Sequence, residues 1–271
     1  MKRGSKMKKV IINADDFGYS SAVNFGIIKA FQNGALTSTT LMANMPGCAE
    51  AIQLAKENPE LGVGGHLVLT CGRPKTTGKS LVDDQGNFYH LDQYKQVRQS
   101  MTEAEIFAEW CCQIDHLIES GLNLTHLDSH HHVHTFSENL AITARIAEKY
   151  QLPFRNAFDL EKNLHLPCQK GIKGFQDLMN YPAIRDLTRS FEENRDACLA
   201  EIQAVLDKVV HEEITELMVH PAFVDEQLYF HSSFNVARVK EVAILCDSQT
   251  QELLAKNNIE LFHYGNVSSV G

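Results

Sequence analysis

The chain has 271 residues and a net charge of −9, and 44% of its residues are hydrophobic. This length is enough for one large domain or two small ones with a full hydrophobic core. The negative charge argues against nucleic acid as a partner. No run approaches the roughly 20 apolar residues that span a bilayer, so we also expect no membrane partner.

Cysteine usage and the first residues indicate the compartment. The seven cysteines are odd in number, and none has C-x-x-C spacing. This argues against a disulfide framework and against a thiolate zinc site. The basic residues before residue 10 are not followed by the apolar segment of a signal peptide. We therefore expect a cytoplasmic protein, with Met7 as an alternative start and residues 1–6 as an extension.

The first half of the chain alternates short apolar runs with amphipathic segments, strand before helix. The predicted strands cover residues 10–12, 38–42 and 62–69. The predicted helices are 21–33, 49–57 and one that starts after Thr102 and ends at Gly121. Glu105 stands three residues after Thr102, the spacing of a capping box. Residues 71–100 have weak periodicity and are interpreted as a long excursion that forms a lid or a substrate wall.

The second half continues the alternation. Its predicted helices are 137–150, 192–211 and 235–256, the last in one or two pieces, and its predicted strands are 152–155, 214–219 and 259–262, with 160–190 ambiguous. Repeated strand–helix units predict a parallel sheet in an α/β protein. About seven such units fit an irregular or nearly closed (β/α) barrel-like fold. Without a linker or repeat, residues 1–271 are predicted to be a single domain whose active site lies at the strand carboxyl ends.

The most informative segment is the histidine-rich tract 126–134, which contains five of the 13 histidines and one aspartate. Imidazole and carboxylate are the usual non-thiolate ligands of a catalytic metal. Side chains alternate along an extended chain, so His126, Asp128 and His130 are expected on one face. A polar loop, or a metal-binding tract without chemistry, would have the same composition. The tract alone therefore does not establish a catalytic site.

Three other strand ends carry residues with suitable chemistry. Asp15 and Asp16 follow the first strand, His66 lies in the third, and His220 follows strand 214–219. Each has a plainer interpretation: a helix cap, a core imidazole, or a histidine bonded to backbone. In a barrel these ends converge with His130. Two imidazoles and one carboxylate complete a three-ligand catalytic metal site, which leaves one carboxylate and one imidazole as base and acid.

These motifs resemble the YdjC/ChbG family of carbohydrate deacetylases. The matching segments are Asn13-Ala14-Asp15-Asp16-Phe17-Gly18, Leu36-Thr37-Ser38-Thr39-Thr40, His66 with Leu69-Thr70, residues 125–134, and His220-Pro221-Ala222-Phe223. They spread over most of the chain, whereas 71–100 and 160–190 match only loosely. The resemblance implies a (β/α) barrel-like fold with one divalent metal. It also implies removal of N-acetyl groups from chitooligosaccharides, such as diacetylchitobiose or its 6-phosphate.

The resemblance also implies roles for particular residues. Asp16, His66 and His130 would hold the metal. By similarity to metal-dependent polysaccharide deacetylases, Asp15 would be the base and His220 the acid. The residues expected to orient the ligand imidazoles or to contact substrate are Asp128, His126 and His132. Oxygen and nitrogen ligands allow Mg²⁺ or Zn²⁺, with Mn²⁺ or Co²⁺ as alternatives, and the family resemblance implies a homodimer.

Two other functions remain open from the sequence. His126-x-Asp128 matches the start of the two-histidine, one-carboxylate triad of non-haem iron oxygenases. That triad usually occurs on a β sandwich, and the strand–helix alternation argues against it. The chain could also be a sugar-binding regulator with a structural metal. Structural sites are usually closed by four protein ligands, whereas Asp15 and His220 are left over for catalysis.

Overall fold

A parallel sheet of seven strands organises the fold. The computed structural model describes residues 7–158, 172–178, 181–211 and 213–269. The strands are β1 Lys8–Phe17, β2 Ser38–Leu41, β3 Gly62–Leu67, β4 Leu127–Ser129, β5 Ile172–Asp177, β6 Ile214–Val219 and β7 Ile259–Phe262. The predicted extension, residues 1–6, lies outside the described residues. So do residues 159–171, which include Cys168 and much of the ambiguous region.

The strand order is β4-β3-β2-β1-β6-β5, with β7 paired to β1. One edge of β1 pairs with β6, and its other edge pairs with β7 in its first half and with β2 in its second half. Within the described ranges β4 and β5 do not pair with each other, so the sheet is an open half-barrel. The predicted irregular (β/α) barrel-like α/β fold with about seven strands is confirmed.

Helices connect the strands and cover the sheet. They are α1 Ser21–Asn33, α2 Cys48–Glu57, α3 Leu91–Val97, α4 Glu103–Glu119, α5 Leu140–Tyr150, α6 Pro182–Arg185, α7 Phe191–Leu206, α8 Glu226–His231, α9 Arg238–Cys246 and α10 Ser248–Lys256. Among the described residues, every helix is too short or too polar to cross a membrane. The six described cysteines are free, as the sequence predicts.

Side-chain alternation along β1 separates the apolar core from the site. Val10, Ile12 and Ala14 belong to the main core beneath the helices, whereas Ile11 packs in a second, smaller cluster. Because side chains alternate, Asn13 and Asp15 share the face of Ile11. All of these residues are buried. The first strand therefore sends its polar side chains into the interior of the half-barrel.

The predicted capping box at the start of α4 is wrong. Thr102 is the N-cap residue, but its side chain makes no capping hydrogen bond. The Glu105 carboxylate instead accepts hydrogen bonds from the backbone NH and the hydroxyl of Ser80, at 2.8 and 2.5 Å. This contact ties the excursion 71–100 to α4. A tertiary partner has thus taken the carboxylate that the local pattern assigned to the cap.

Several other boundaries differ from the prediction. The helix predicted at 137–150 begins at Leu140, after a 3₁₀ turn. The helix predicted at 192–211 ends at Leu206, and α8 was not predicted. Residues 152–155 form a single bridge, between Phe154 and Leu127, rather than a strand. The predicted ambiguous region contains the β5 strand, which completes the seven.

Candidate metal centre and active site

The backbone at Asp16 has an uncommon conformation. Its φ is +70°, and the pairing of β1 with β2 shifts register between Ala14 and Phe17. Left-handed backbone is uncommon for residues other than glycine, and such strain persists where surrounding contacts hold it, often at functional sites. The next turn is held by hydrogen bonds from Tyr19 NH to the Asp16 carbonyl, 2.9 Å, and from Gly18 NH to Asn24 Oδ1, 2.7 Å.

Three side chains meet at the carboxyl ends of β1, β3 and β4. Asp16 Oδ1 lies 3.0 Å from His130 Nδ1 and 3.4 Å from His66 Nε2. The other oxygen, Oδ2, lies 2.8 Å from Arg238 Nη2. Burial alone would raise the pKa of Asp16, but the Arg238 guanidinium and His130 outweigh it and hold that pKa well below its usual range. One anionic oxygen therefore faces both imidazoles.

His66 is oriented by a buried carboxylate. Its Nδ1 lies 2.7 Å from Asp128 Oδ1, and the Thr40 hydroxyl donates to Asp128 Oδ2 at 2.9 Å. Burial lowers the pKa of His66, but the adjacent Asp128 outweighs burial and raises it to about 10. His66 Nε2 is buried and makes no hydrogen bond within the described residues. A carboxylate on one ring nitrogen, with the other nitrogen directed at a further ligand, is the usual arrangement of a metal-binding histidine. An ion bound between His66 and Asp16 would replace the proton on Nε2, which lies 3.4 Å from Asp16 Oδ1.

The residues present fit a divalent metal ion. The ligand atoms of Asp16, His66 and His130 all lie within 4.8 Å of one another. A second cluster with the same spacing consists of Asp15, His66 and Asp128. Its two carboxylates already pair with a buried guanidinium, at 2.5 and 2.9 Å. The first cluster is therefore the better candidate centre, and its nitrogen and oxygen donors suit Mg²⁺, Zn²⁺, Mn²⁺ or Co²⁺.

Arg155 supplies that guanidinium and links three buried carboxylates. Its Nη1 lies 2.7 Å from Asp15 Oδ2 and 2.9 Å from Asp128 Oδ2, and its Nη2 lies 2.7 Å from Glu216 Oε1. The Tyr264 hydroxyl donates to the other Glu216 oxygen. Burial would raise the pKa of Asp15, but Arg155 outweighs it and holds that pKa well below its usual range. Asp15 is therefore a carboxylate at neutral pH.

Sequence reasoning missed both arginines of the site. Arg155 ends the weak apolar run 152–155, and its backbone NH donates to the Leu127 carbonyl at 2.8 Å, which brings it beside β4. A fully buried arginine needs paired carboxylates, but the sequence does not show its burial. Arg238 begins α9 and gave no signal at all, because its partner Asp16 is more than 200 residues away.

His220 directly follows β6 and is buried. Its backbone NH donates to the Glu241 carboxylate, and its ring lies edge-to-face on Phe234, with centroids 5.7 Å apart. Its Nδ1 has no hydrogen-bond partner within the described part of the chain. Burial lowers the pKa of His220 to about 4. The imidazole is therefore neutral at neutral pH and can accept a proton before it donates one.

One cavity of about 490 Å³ gathers the predicted site residues. Those that line it are Asp15, Asp16, His66, His130, His132 and His220. Asp128 lies behind His66. His126 does not line the cavity, because its ring stacks on Tyr264 with centroids 3.6 Å apart. The structure thus brings together the five residues expected to form the centre and separates His126 from them.

The remaining histidines of the tract have other contacts. His131 and His132 both have left-handed backbone, with φ of +57° and +54°. His131 Nδ1 lies 2.9 Å from the Thr70 hydroxyl, and His132 lies edge-on to Phe175. His134 is buried, and its Nδ1 lies 2.6 Å from the Ser129 hydroxyl. The tight turn after β4 therefore points successive histidines at different neighbours.

A barrel-like α/β fold with a set of metal ligands and acid–base residues at the strand carboxyl ends is typical of a hydrolase. The profile of the family described as YdjC-like protein matches residues 9–256. The chain therefore belongs to the YdjC family, as the sequence predicts.

Relatives of known name or structure align over nearly the full chain. A carbohydrate deacetylase of Geobacillus stearothermophilus is 37% identical over 94% of this chain and 96% of its own length. A carbohydrate deacetylase of Vibrio cholerae serotype O1 is also 37% identical, over 96% of this chain and 97% of its own. A solved structure from Enterococcus faecalis V583, described as a cellobiose-phosphate cleavage protein, is 33% identical with a TM-score of 0.81. It covers 96% of this chain and 99% of that one. The family match and the deacetylase relatives together show an enzyme of the deacetylase type, as the sequence predicts.

Proposed function

We propose that this enzyme removes N-acetyl groups from chitooligosaccharides in a reaction that depends on a divalent metal and releases acetate. Diacetylchitobiose and its 6-phosphate are the proposed substrates. The observation that carries the proposal is the cluster of Asp16, His66 and His130 beside Asp15 and His220 in one cavity. The relatives named carbohydrate deacetylase support a sugar substrate.

Asp16, His66 and His130 would hold the metal, with Mg²⁺ or Zn²⁺ as the first candidates and Mn²⁺ or Co²⁺ as alternatives. When bound, a divalent ion polarises an acetamide carbonyl and lowers the pKa of bound water. Asp128 would orient His66 so that Nε2 faces the ion, because its carboxylate accepts the Nδ1 proton at 2.7 Å. The bound ion would replace the proton on Nε2. Arg238 would fix Asp16 through the oxygen that does not face the imidazoles.

Asp15 would act as the base. It is ionised at neutral pH, because Arg155 holds its pKa low, and it can accept one proton from the water that attacks the acetamide carbonyl. The same pairing lowers the basicity of Asp15. Arg155 would also orient Asp15 towards the attacking water, since its guanidinium contacts both oxygens of the carboxylate.

His220 would return a proton to the sugar nitrogen as the C–N bond breaks. Because its pKa is lowered to about 4, it would enter the cycle neutral and take up the proton that Asp15 received from water. That proton then leaves on the amine. The hydroxyl that attacked remains on the acetyl carbon, and acetic acid ionises to acetate after release. The cycle balances without an outside acid.

We propose a small oligosaccharide as the partner of this site, with no nucleic-acid or membrane partner, in a cytoplasmic homodimer. The homodimer rests on the family resemblance alone. Sedimentation of the purified chain tests this: a single species at the monomer mass would contradict a homodimer.

Acetate release tests the function. Purified enzyme is incubated with N-acetylated chitooligosaccharides of one to four units, with and without 6-phosphate. Each assay is repeated after chelation and after a divalent ion is returned. We expect acetate and free amine in equal amounts, loss of activity on chelation, and recovery with the ion. Oxygen uptake with Fe(II) and an oxo acid, without acetate release, would favour the iron oxygenase instead.

A further inference from the structure

The imidazole of His220 lacks a hydrogen bond at one of its ring nitrogens. Its Nδ1 is buried and has no partner among the described residues. The Glu241 carboxylate accepts from the His220 backbone NH, which fixes the chain but leaves the side chain able to turn about its own bonds. An imidazole that transfers protons is commonly oriented by a hydrogen bond to its second nitrogen. In this protein a contact of another kind has to hold the ring.

Phe234 makes an aromatic contact with that ring. The two ring centroids are 5.7 Å apart, and the ring planes lie at 88° to each other. Edge-to-face packing at centroid distances of about 4.5–7 Å is a favoured arrangement of aromatic rings. Phe234 is 7% exposed and lines the cavity of the site together with His220. Its ring therefore contacts the imidazole and also fills space that water would otherwise enter.

Phe234 is itself held in place by contacts around the start of α9. Arg238 Nε donates to the Phe234 carbonyl at 2.6 Å, and the Ser232 hydroxyl donates to the same oxygen at 3.0 Å. The guanidinium groups of Arg185 and Arg238 lie over its ring, at 5.4 and 5.5 Å from the centroid. Cations within about 6 Å of a ring centroid are attracted to the face of the ring. The phenylalanine is thus a fixed support for the imidazole.

Exclusion of water, more than charge, sets the ionisation of His220. Burial is the largest influence and lowers the pKa of His220 to about 4. Two neighbouring carboxylates oppose burial, and two neighbouring guanidinium groups reinforce it. The charged groups that face the imidazole or its backbone are Asp15, Asp16, Arg155, Arg238 and Glu241. A side chain that keeps water from the ring therefore helps His220 to enter the reaction neutral.

We propose that Phe234 is a positioning residue of the active site, whose ring orients the His220 imidazole towards the sugar nitrogen and shields it from water. This inference rests on the proposed function, in which His220 returns a proton to that nitrogen. Misplacing a reacting group by about 1 Å can lower a rate by about 10²-fold. Loss of the ring should therefore slow the chemical step and leave substrate binding nearly unchanged.

Steady-state kinetics with diacetylchitobiose compare the parent with Phe234→Leu and Phe234→Ala. Phe234→Leu keeps an apolar side chain but loses the planar ring, and its kcat should fall by about 10-fold or more. Phe234→Ala also leaves a space that water can enter, and its kcat should fall by about 10²-fold. In both variants KM should stay near that of the parent. The matched control is Phe191→Ala on α7, because Phe191 also lies under an arginine but does not line the cavity.

The protonation of His220 is a second readout, and it does not require turnover. Nuclear magnetic resonance of protein with isotope-labelled histidine follows the imidazoles, and the His220 signal is identified by its absence in His220→Ala. In the parent and in Phe234→Leu, His220 should stay neutral at neutral pH, because burial lowers its pKa to about 4. In Phe234→Ala the pKa should rise towards the ordinary value of 6.5, because water reaches the ring.

The outcomes separate a positioning role from other roles of Phe234. A lower kcat with unchanged KM and metal content, in both Phe234 variants but not in Phe191→Ala, supports the inference. A raised KM at the parent kcat would mean that Phe234 binds the sugar directly, and loss of metal would mean that it acts through Arg238 and Asp16. Either result overturns the inference, as does a Phe234→Ala variant with the parent kcat and the parent titration.

Failure of the proposed function gives a different result. No acetate from the parent overturns that function and the inference that rests on it, whereas parent turnover with unchanged Phe234 variants overturns the inference alone. If Phe234→Ala does not fold, Phe234→Leu decides by the same split between kcat and KM.

Discussion

Asp15 and Asp16 are adjacent in the chain, yet their carboxylates have different partners. Asp15 pairs with Arg155 through both oxygens, whereas Asp16 divides its oxygens between Arg238 and the two imidazoles. The left-handed backbone at Asp16 accompanies this separation. The two carboxylates should therefore fail in different ways when each is replaced by its neutral amide.

Asp15→Asn should keep the metal and lose turnover, and Asp16→Asn should lose both. Loss of a general base typically lowers the rate by about 10²–10⁴, whereas replacing an anionic ligand weakens the binding of the metal ion. Elemental analysis and the rate of acetate release are measured on the same preparations. Metal loss in Asp15→Asn with retention in Asp16→Asn would mean that the roles are exchanged. Parent rates in both variants would contradict the proposed mechanism.

Arg155 should be essential for stability as well as for the site. Arg155→Met leaves Asp15, Asp128 and Glu216 buried without their cation, and breaking a buried pair typically costs about 3–5 kcal/mol. Urea unfolding measures the change. The control is Arg145→Met, because Arg145 is exposed and lies over the Phe107 ring. It should change the free energy of unfolding by no more than about 1 kcal/mol, the size of an exposed cation–π contact. Equal effects of the two variants would contradict this account.

At the scale of elements, close contacts fix the segments that carry the site. A Cβ added at Gly26 in α1 would overlap the backbone of Ala222, two residues after His220. A backbone hydrogen bond from Phe223 NH to the Ala22 carbonyl, 3.1 Å, holds the same pair of segments together. Helix α1 therefore sets the position of the chain that leaves β6.

Gly26→Ala should destabilise the protein despite the better helix propensity of alanine. Alanine gains up to about 1 kcal/mol over glycine within a helix. Overpacking against a rigid backbone typically costs about 1–3 kcal/mol, and the backbone of Ala222 cannot move aside without shifting His220. Thermal or urea unfolding should show a net loss, with Lys29→Ala on the exposed face of α1 near neutral. A stabilised Gly26→Ala variant would show that α1 and the segment that follows β6 can move apart at little cost in free energy.

Glu241 links α9 to the end of β6 and should make stability depend on pH. Burial raises its pKa to about 8 from the ordinary 4.5. A carboxyl whose folded pKa is raised stabilises the protein below pH 4.5, and this contribution is lost as the pH rises towards 8.

Glu241→Gln should therefore remove part of the pH dependence between pH 4.5 and 8. As the pH rises from 5 to 8, the free energy of unfolding of the variant should increase relative to that of the parent by on the order of 3 kcal/mol, at about 1.4 kcal/mol per pKa unit. Urea unfolding of both proteins at the two pH values measures the difference. A parent and variant with parallel pH profiles would show that Glu241 ionises normally.

At the scale of the whole molecule, the metal ligands come from three strand ends that are far apart in sequence. Asp16 follows β1, His66 lies in β3, and His130 follows β4. An ion bound by all three would cross-link the folded sheet and would not find this site in the unfolded chain. Metal binding should therefore stabilise the fold as a whole.

The parent should gain thermal stability with added divalent ion, and His130→Ala should lose that gain. Saturation at about 100 times Kd contributes about 2.7 kcal/mol to a protein that binds only when folded. His131→Ala is the matched control, because His131 contacts Thr70 and is not part of the three-residue cluster. It should retain most of the shift. A larger loss in His131→Ala would mean that the ligand within the histidine tract was misassigned.

The sequence by itself determined the elements with strong local signals and the strand carboxyl ends at which the candidate site residues lie. Helix α1 covers residues 21–33 as predicted, and strands β6 and β7 also match their predicted bounds. The convergence of Asp15, Asp16, His66, His130 and His220 also followed from sequence, because parallel strands in a barrel bring their carboxyl ends together. The hydrophobic periodicity of a segment depends only on neighbouring residues, so it predicts a helix or strand without knowledge of tertiary contacts.

Tertiary structure alone decided the electrostatics of the site and the shape of its cavity. Arg155 and Arg238 pair with carboxylates about 140 and 220 residues away in the sequence. The Glu105 carboxylate accepts a hydrogen bond from Ser80 instead of forming the predicted cap. Burial set the low pKa of His220, and Cys71 and His90 of the excursion 71–100 line the cavity of the site. These features depend on which groups meet across the fold and on how far water is excluded. Local sequence patterns carry no record of either.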